Sequence, residues 1–318
     1  MSLPETFFQI LLIGVANGSI IALIALGYTL VYGIVELINF AHGDVYMIGT
    51  MTSLTLVTWV PSLMDLRRPT MMDTAPLALL VIAALLVPMV VCALLNVLIE
   101  RFAYRPLRHA PRLAPLITAI GVSFILTNIG LYWKGASAVD FPRLLPDIDI
   151  FRDVLGLQTL VFFKVADLFV IALALPLMLG LNVFINRTRL GKAMRATAQD
   201  REAASMMGID INLTIALTFL LGGALAGAGG FISGVYYNTA VFNQGFRAGL
   251  YAFTAAVLGG IGNVAGAFLG GMVIGIVAAF SDFLWDPRWT QVVVFAILIL
   301  ILIFKPTGLL GEETAERA

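Results

Sequence analysis

An all-α, polytopic transmembrane helical bundle of about eight or nine crossings, with broken helices and a charged helix at the cytoplasmic surface, is the fold that three observations predict. The first is composition: 60% of the 318 residues are hydrophobic and 12% charged, with mean hydropathy +0.98. A soluble domain carries roughly 25% charged residues. The second is a succession of apolar runs long enough to span a bilayer, separated by short polar breaks. The third is one strongly charged stretch, about residues 186–212, set inside an otherwise apolar chain. Its basic residues Arg187, Arg189, Lys192, Arg195 and Arg201 would each cost roughly 2.5–3.5 kcal/mol at a bilayer centre, about 12–18 kcal/mol together, which excludes a span there. Residues 1–318 read as a single membrane-spanning unit.

The elements follow in order. Phe7 to Val60 is nearly continuous apolar sequence, interrupted by Glu36-Leu-Ile-Asn39-Phe-Ala-His42-Gly43-Asp44. About 54 residues at roughly 1.5 Å each exceed one 30 Å core, so two spans with an unwound middle are expected. The N-terminus has no basic residue before its apolar run, against a cleaved leader. Pro61 to Ala75 reads as a loop and Pro76 to Ile99 as a span. Glu100 to Arg112, with Arg101, Arg105, Arg108, His109 and Arg112, is a basic loop of the kind that stays in the cytoplasm.

Leu113 to Trp133 then spans outward and Val165 to Ile185 returns. The intervening loop, about 134–163, carries Asp140, Asp147, Asp149 and Asp153 against Lys134, Arg143 and Arg152, and belongs outside. Two spans between the two basic stretches put both on one side, a check the assignment passes. Leu213 to Gly234, Ala248 to Gly262, Ala265 to Leu284 and Thr290 to Phe304 complete the bundle, the second as a short or broken crossing. The C-terminus falls inside and the N-terminus outside. The breaks at Asn39–Asp44 and Gly259–Ala265 echo each other, as in transporters built from inverted repeats.

Within the charged stretch, read as one helix, Ala196, Ala203, Ala204, Met207 and Gly208 form one small-residue face with a methionine beside it, suited to close approach by another protein. Glu202-Ala203-Ala204-Ser-Met-Met207-Gly208 fits the pattern EAA, three residues, Gly. Here the chain resembles the permease subunits of bacterial ATP-binding-cassette importers. More narrowly, Arg187-x-Arg189-x-Gly191-x-x-x-Arg195-Ala196 through Asp200 and Gly208-Ile209, the run Ile38-Asn-Phe-Ala-His-Gly-Asp44, and Ala255-Ala-Val-Leu-Gly-Gly-Ile-Gly262 with Gly266 resemble the branched-chain amino acid permeases of the LivH type over nearly the whole chain. The Ile-x-Leu-Pro that closes the longer consensus of other importers is absent; Thr218, Phe219, Leu220 and Leu221 stand there.

The resemblance implies a bacterial inner-membrane permease working with two ATPase subunits, a homologous or identical second permease and a periplasmic binding protein. The implied cargo is leucine, isoleucine or valine, with urea and small amides carried by relatives. Arg195, Ala196, Glu202, Ala203, Ala204, Met207 and Gly208 are then the expected ATPase-coupling residues, with Arg195 and Glu202 setting the helix angle through ion pairs. No GxxxxGK[ST] occurs, so the ATP is hydrolysed by another polypeptide.

Glu36, Asn39, His42 and Asp44, with Gly259, Gly260 and Asn263 of the second break, are candidates for the translocation path, because ionisable groups at membrane depth line paths or pair at gates. Their structural alternative is to satisfy backbone freed at a helix end, with Asp44 capping the helix that follows. Gly262, Gly266 and Gly270, spaced by four, are a small-residue stripe for helix packing. The Gly260-x-Gly262 match to a dinucleotide fingerprint lacks a βαβ context and is set aside.

Several chemistries are excluded. Lone Cys92 forms no intramolecular disulfide, and two histidines with no cysteine pair make no metal site. Nineteen basic and nineteen acidic residues cancel, giving no nucleic-acid signature. No nucleophile with its base or carboxylate pair is present, so the chain reads as a transport subunit in contact with membrane lipid, without cofactor or catalysis. A reading from another class, an ion-coupled transporter or channel for a small polar solute, would make Glu36 and Asp44 its coupling carboxylates.

Overall fold

The apolar N-terminal run folds as two helices, α1 (Leu3–Val35) and α2 (His42–Leu63), on either side of the polar break. They belong to a computed structural model that describes residues 3–35, 39–63, 69, 72–108, 110–111, 113–305 and 307–311. Next comes α3 (Thr74–Ile99), which continues without interruption through a π-helical turn, Glu100–Tyr104, and a 3-10 turn, Arg105–Leu107. Helices α4 (Leu113–Lys134) and α5 (Val165–Arg187) flank the acidic loop. The charged stretch forms two short helices, α6 (Arg189–Gln199) and α7 (Arg201–Met206). The second half comprises α8 (Ile211–Tyr237), α9 (Gln244–Gly259), α10 (Val264–Leu284) and α11 (Thr290–Phe304).

Among the described residues, six helices are long and apolar enough to cross a membrane: α1, α3 with its extension to Leu107, α4, α5, α8 and α10. This is a multi-pass membrane protein. Helices α9 and α11, of 16 and 15 residues, are shorter than a roughly 20-residue span.

The helix pairings repeat. Helix α1 packs along α10, and α8 packs along α3; α2 lies on α8 and α9 on α1; α2 meets α3 and α4, while α9 meets α10 and α11. So α1–α4 and α8–α11 are two equivalent units, each lending its first helix to the other's third. Their polarity is reversed. Gly14 faces Ile276 and Gly18 faces Met272, so α1 and α10 are antiparallel; Pro88 faces Gly227 and Cys92 faces Gly223, so α3 and α8 are antiparallel too. At the α1–α10 seam, Gly271 lies against the backbone of Ala22 and Gly275 against that of Gly18. Glycine is what lets the two backbones come this close, and dispersion over the close contact substitutes for the hydrophobic drive that lipid does not supply.

The correspondence between the two breaks differs from the one the sequence suggested. The counterpart of Asn39–Asp44 is the segment before α9, residues 238–243, because both lead into the second helix of a unit. Gly259–Ala265 instead joins α9 to α10, the place occupied in the first unit by the α2–α3 connection. The glycines of 259–265 mark the turn at the far end of α9, whereas the start of α9 carries no comparable signal.

The loop between α4 and α5 is ordered. Its strand β1 (Val139–Asp140) pairs antiparallel with β2 (Thr239–Ala240), which follows α8, and the buried Phe141 packs on Gly234. Asp149 accepts hydrogen bonds from the amides of Phe151 and Arg152, and Lys164 pairs with Asp147 at 2.9 Å. The bundle therefore has two distinct ends, one carrying this acidic hairpin and the other carrying Arg101, Arg105, Arg108, α6 and α7.

Candidate functional site

Halfway along the bundle two helices begin beside each other. Asp44, in the first turn of α2, is fully buried and accepts hydrogen bonds from Ser123 Oγ and Thr127 Oγ1, at 2.5 and 3.2 Å. Both hydroxyls lie at the middle of α4, and the neighbouring Val45 carbonyl accepts from Cys92 at the middle of α3. The start of α2 is thus at half-height. Helix α9 starts at the same level: Gly245 lies against Gly43 and Asp44, and Gly249 lies against Gly43 and the Tyr28 hydroxyl. From there α2 runs to the hairpin end and α9 to the basic end. Two helices whose N-termini meet at half-height are a construction that transporters use to bring polar groups into a membrane.

The residues of the first break hold this junction. Asn39 is buried; its Oδ1 accepts a 2.8 Å hydrogen bond from Tyr104 Oη in the π-helical extension of α3, and its carbonyl accepts from the His42 amide. The His42 ring is fully buried beside Gly27 and stands edge-on to Tyr28 at 4.9 Å; neither ring nitrogen has a hydrogen-bond partner among the described residues. Asp44 has no cationic partner among them either. Glu36 lies outside the described residues. Asn39, His42 and Asp44 are therefore brought together, enclosed by protein on all sides.

Removing the Tyr104 hydroxyl tests this closure. Tyr104→Phe keeps the ring against Phe219 but leaves the buried Asn39 Oδ1 without its donor, at a cost of about 1–3 kcal/mol. A lowered melting temperature of the detergent-solubilised protein is the expected outcome.

The second group of path candidates is elsewhere. Gly259, Gly260 and Asn263 form the α9–α10 turn at the basic end, close to Gly33 near the end of α1. Residues 307–311 fold back over this turn: the Gly259 carbonyl accepts from the Leu310 amide, and Asn263 Nδ2 donates to the Leu310 carbonyl at 2.8 Å. Gly260 takes a positive φ of 102° there, and Asn263 Oδ1 caps α10 by accepting from the Gly266 amide. Of the glycine stripe, Gly266 and Gly270 pack on α9 backbone, at Gly259 and Ala255 respectively. Gly262 precedes α10 and sits in the turn, with φ 90°.

The charged stretch is an elbow and not one helix. Asp200 has an extended backbone between α6 and α7, and its side chain accepts from the amides of Glu202 and Ala203. An N-cap at this position starts a new helix, so the expected single face splits. Ala204 is buried and Ala196 half-buried, while Ala203, Met207 and Gly208 are exposed, Met206 and Met207 at more than four-fifths of their surface. Gly208, at φ 83°, ends α7; the Ile209 amide closes the turn onto the Ala204 carbonyl. No ion pair joins Arg195 and Glu202 among the described residues: Arg195 donates to the Ile185 carbonyl and to Asn186 Oδ1, and Glu202 is exposed.

Three arginines matter here whose roles their charge alone does not reveal. Arg201 donates to the carbonyls of Ile34 and Val35, both at 2.9 Å, and so fastens α7 to the last turn of α1. Arg108 pairs with the buried Glu100 and donates to Asn212 Oδ1 at 2.7 Å, fastening the end of α3 to the start of α8. Arg247 lies in the first turn of α9, exposed, with no hydrogen bond or ion pair among the described residues.

Arg247 is two residues beyond Gly245, so about 3 Å from half-height. With a hydrocarbon core of about 30 Å, either boundary is about 12–15 Å away, roughly twice the reach of an arginine side chain. Facing lipid there would cost about 3 kcal/mol or more. The other exposed faces are apolar at this height, with Val90 on α3, Phe124 and Ile125 on α4, Leu175 and Leu179 on α5, and Ile299 on α11. Arg247 therefore marks the side of the bundle that faces water or protein.

The family model for the branched-chain amino acid transport system permease component matches residues 10–302. The high-affinity branched-chain amino acid transport system permease protein BraD of Pseudomonas aeruginosa is 41% identical over 317 residues, covering 99% of this chain and all of the relative. The corresponding LivH proteins of Salmonella typhimurium and Escherichia coli K12 are each 40% identical over 311 residues, 98% of this chain and 97% of theirs. No solved structure matches the chain. With the half-height junction, the α6–α7 elbow and all but the outer ends of α1 and α11 inside the matched span, the chain belongs to the permease component family of branched-chain amino acid transport systems.

Proposed function

We propose that this protein is the transmembrane permease of an ATP-binding-cassette importer for leucine, isoleucine and valine in the bacterial inner membrane. It pairs with a second, homologous or identical permease, receives cargo from a periplasmic binding protein, and is driven by two separate ATPase subunits. The full-length identity with BraD, 41% over 317 residues, carries this reading.

The geometry supplies a matching division of labour. The end bearing α6 and α7 faces the cytoplasm, where the exposed Ala203, Met206 and Met207 present small and pliable side chains to a groove of the ATPase. Closure of the ATPases on ATP moves α7. Arg201 passes that displacement to the end of α1, whose glycine-lined seam with α10 moves as one body. Because α1 also bounds the midplane junction through Gly27 and Tyr28, a shift of α1 reshapes the junction and alternates the side to which it opens. The hairpin end faces the periplasm and the binding protein.

Affinity purification of the intact assembly from membranes tests the reading. Recovery of an ATPase and a second permease together with this chain is expected; recovery of this chain without any ATPase, under conditions that keep assemblies intact, would sink it.

A further inference from the structure

We propose that Arg247 receives the α-carboxylate of the cargo at the membrane midplane, an inference that rests on the amino-acid importer reading above. Three observations carry it. Arg247 stands in the first turn of α9 at the height of the Gly43–Gly245 contact, on the face of α9 turned away from α2. The residue is exposed and engages no group of its own chain among the described residues, at a depth where facing lipid is costly. Phe246, the preceding residue, is 58% exposed and adds an apolar ring to the exposed start of α9.

A guanidinium presents its donors as a planar fork that matches a carboxylate in two parallel hydrogen bonds. The cargo class has just these two parts, a carboxylate and an aliphatic side chain. Asp44 does not compete for the same cation: its carboxylate is enclosed between α2, α4 and α9 and bonded to Ser123 and Thr127. A water-accessible cation, which holds a carboxylate only weakly, is also what passage requires, since a buried pair would hold the cargo and slow its release.

The chain's single native cysteine, Cys92, is buried, so a cysteine placed at 247 is the accessible thiol of this subunit. The experiment uses the complete importer in proteoliposomes with loaded binding protein. Arg247→Cys is expected to lower leucine transport roughly ten-fold while ATP hydrolysis stimulated by binding protein stays within about two-fold of wild type. Modification with 2-aminoethyl methanethiosulfonate, which restores a cation, then recovers transport; the 2-sulfonatoethyl reagent does not, and Arg247→Lys retains an intermediate rate. Wild-type transport by Arg247→Cys, equal recovery with the anionic reagent, or loss of the permease pair in either variant would overturn the assignment, the last placing Arg247 in a subunit contact. A wild-type complex that moves no leucine would refute the importer reading itself, which keeps the two failures apart.

Discussion

Arg201→Ala is expected to leave an assembled importer that still hydrolyses ATP and moves leucine at about a tenth of the wild-type rate or less. The guanidinium makes two 2.9 Å hydrogen bonds to the carbonyls of Ile34 and Val35, which close the last turn of α1. Helix α7, only six residues long, is not a stable body by itself, so it transmits displacement only through what fastens it. Arg201 is half-exposed, and water replaces part of each bond, so the stability loss stays near 1–2 kcal/mol and the bundle folds. The loss falls on coupling. Arg201→Lys, a point charge without the fork, is expected to recover only part of the transport. Paired measurement of ATP hydrolysis and uptake separates this outcome from simple unfolding, which lowers both.

Gly271→Val is expected to abolish recovery of folded protein. Any side-chain carbon at Gly271 overlaps the Ala22 backbone, so α1 and α10 must separate along the seam that joins the two units. Overpacking of a side-chain core costs about 1–3 kcal/mol, and more where backbone must move. A Cβ at Gly180 on α5 or Gly121 on α4 meets no neighbouring atom within 4 Å, and valine there is expected to leave yield and melting temperature close to wild type. Size-exclusion profiles of the three variants in detergent read the difference directly.

The bundle was legible because membrane helices announce themselves by length and hydropathy: α3, α4, α5, α8 and α10 fall close to where the apolar runs predicted them. The two basic stretches likewise lie at one end, as their spacing required. What the sequence hid is where helices stop relative to the bundle. The α2 start and the α9 start are both short of a full crossing, and hydropathy does not distinguish a helix that begins at half-height from one that begins at a boundary. The second break was therefore sought at Gly259–Ala265, where glycines turn the chain at the basic end, and missed at Asn243–Arg247, where the reading placed no site.

The charged stretch shows a different limit. Its EAA-Gly spacing is plain in the sequence, and so is Asp200, an N-cap one residue before Arg201 that divides 186–212 into two helices. Arg201 was counted as a charge because its partners are backbone carbonyls 166 and 167 positions away, contacts that no side-chain pattern records. Arg247 lies between the apolar runs 213–234 and 248–262, where a cation reads as an ordinary loop charge, so its depth shows only once α9 is placed.

Energy source is the measurement that bears most directly on the central claim, that displacement of α7 by an ATPase drives this bundle. In proteoliposomes holding both permeases and the ATPases, radiolabelled leucine should accumulate only when ATP and loaded binding protein are both present, and should persist when ionophores collapse every ion gradient. Accumulation without ATP that disappears with the ion gradient would contradict the account and return Asp44 to the role of an ion-coupling carboxylate.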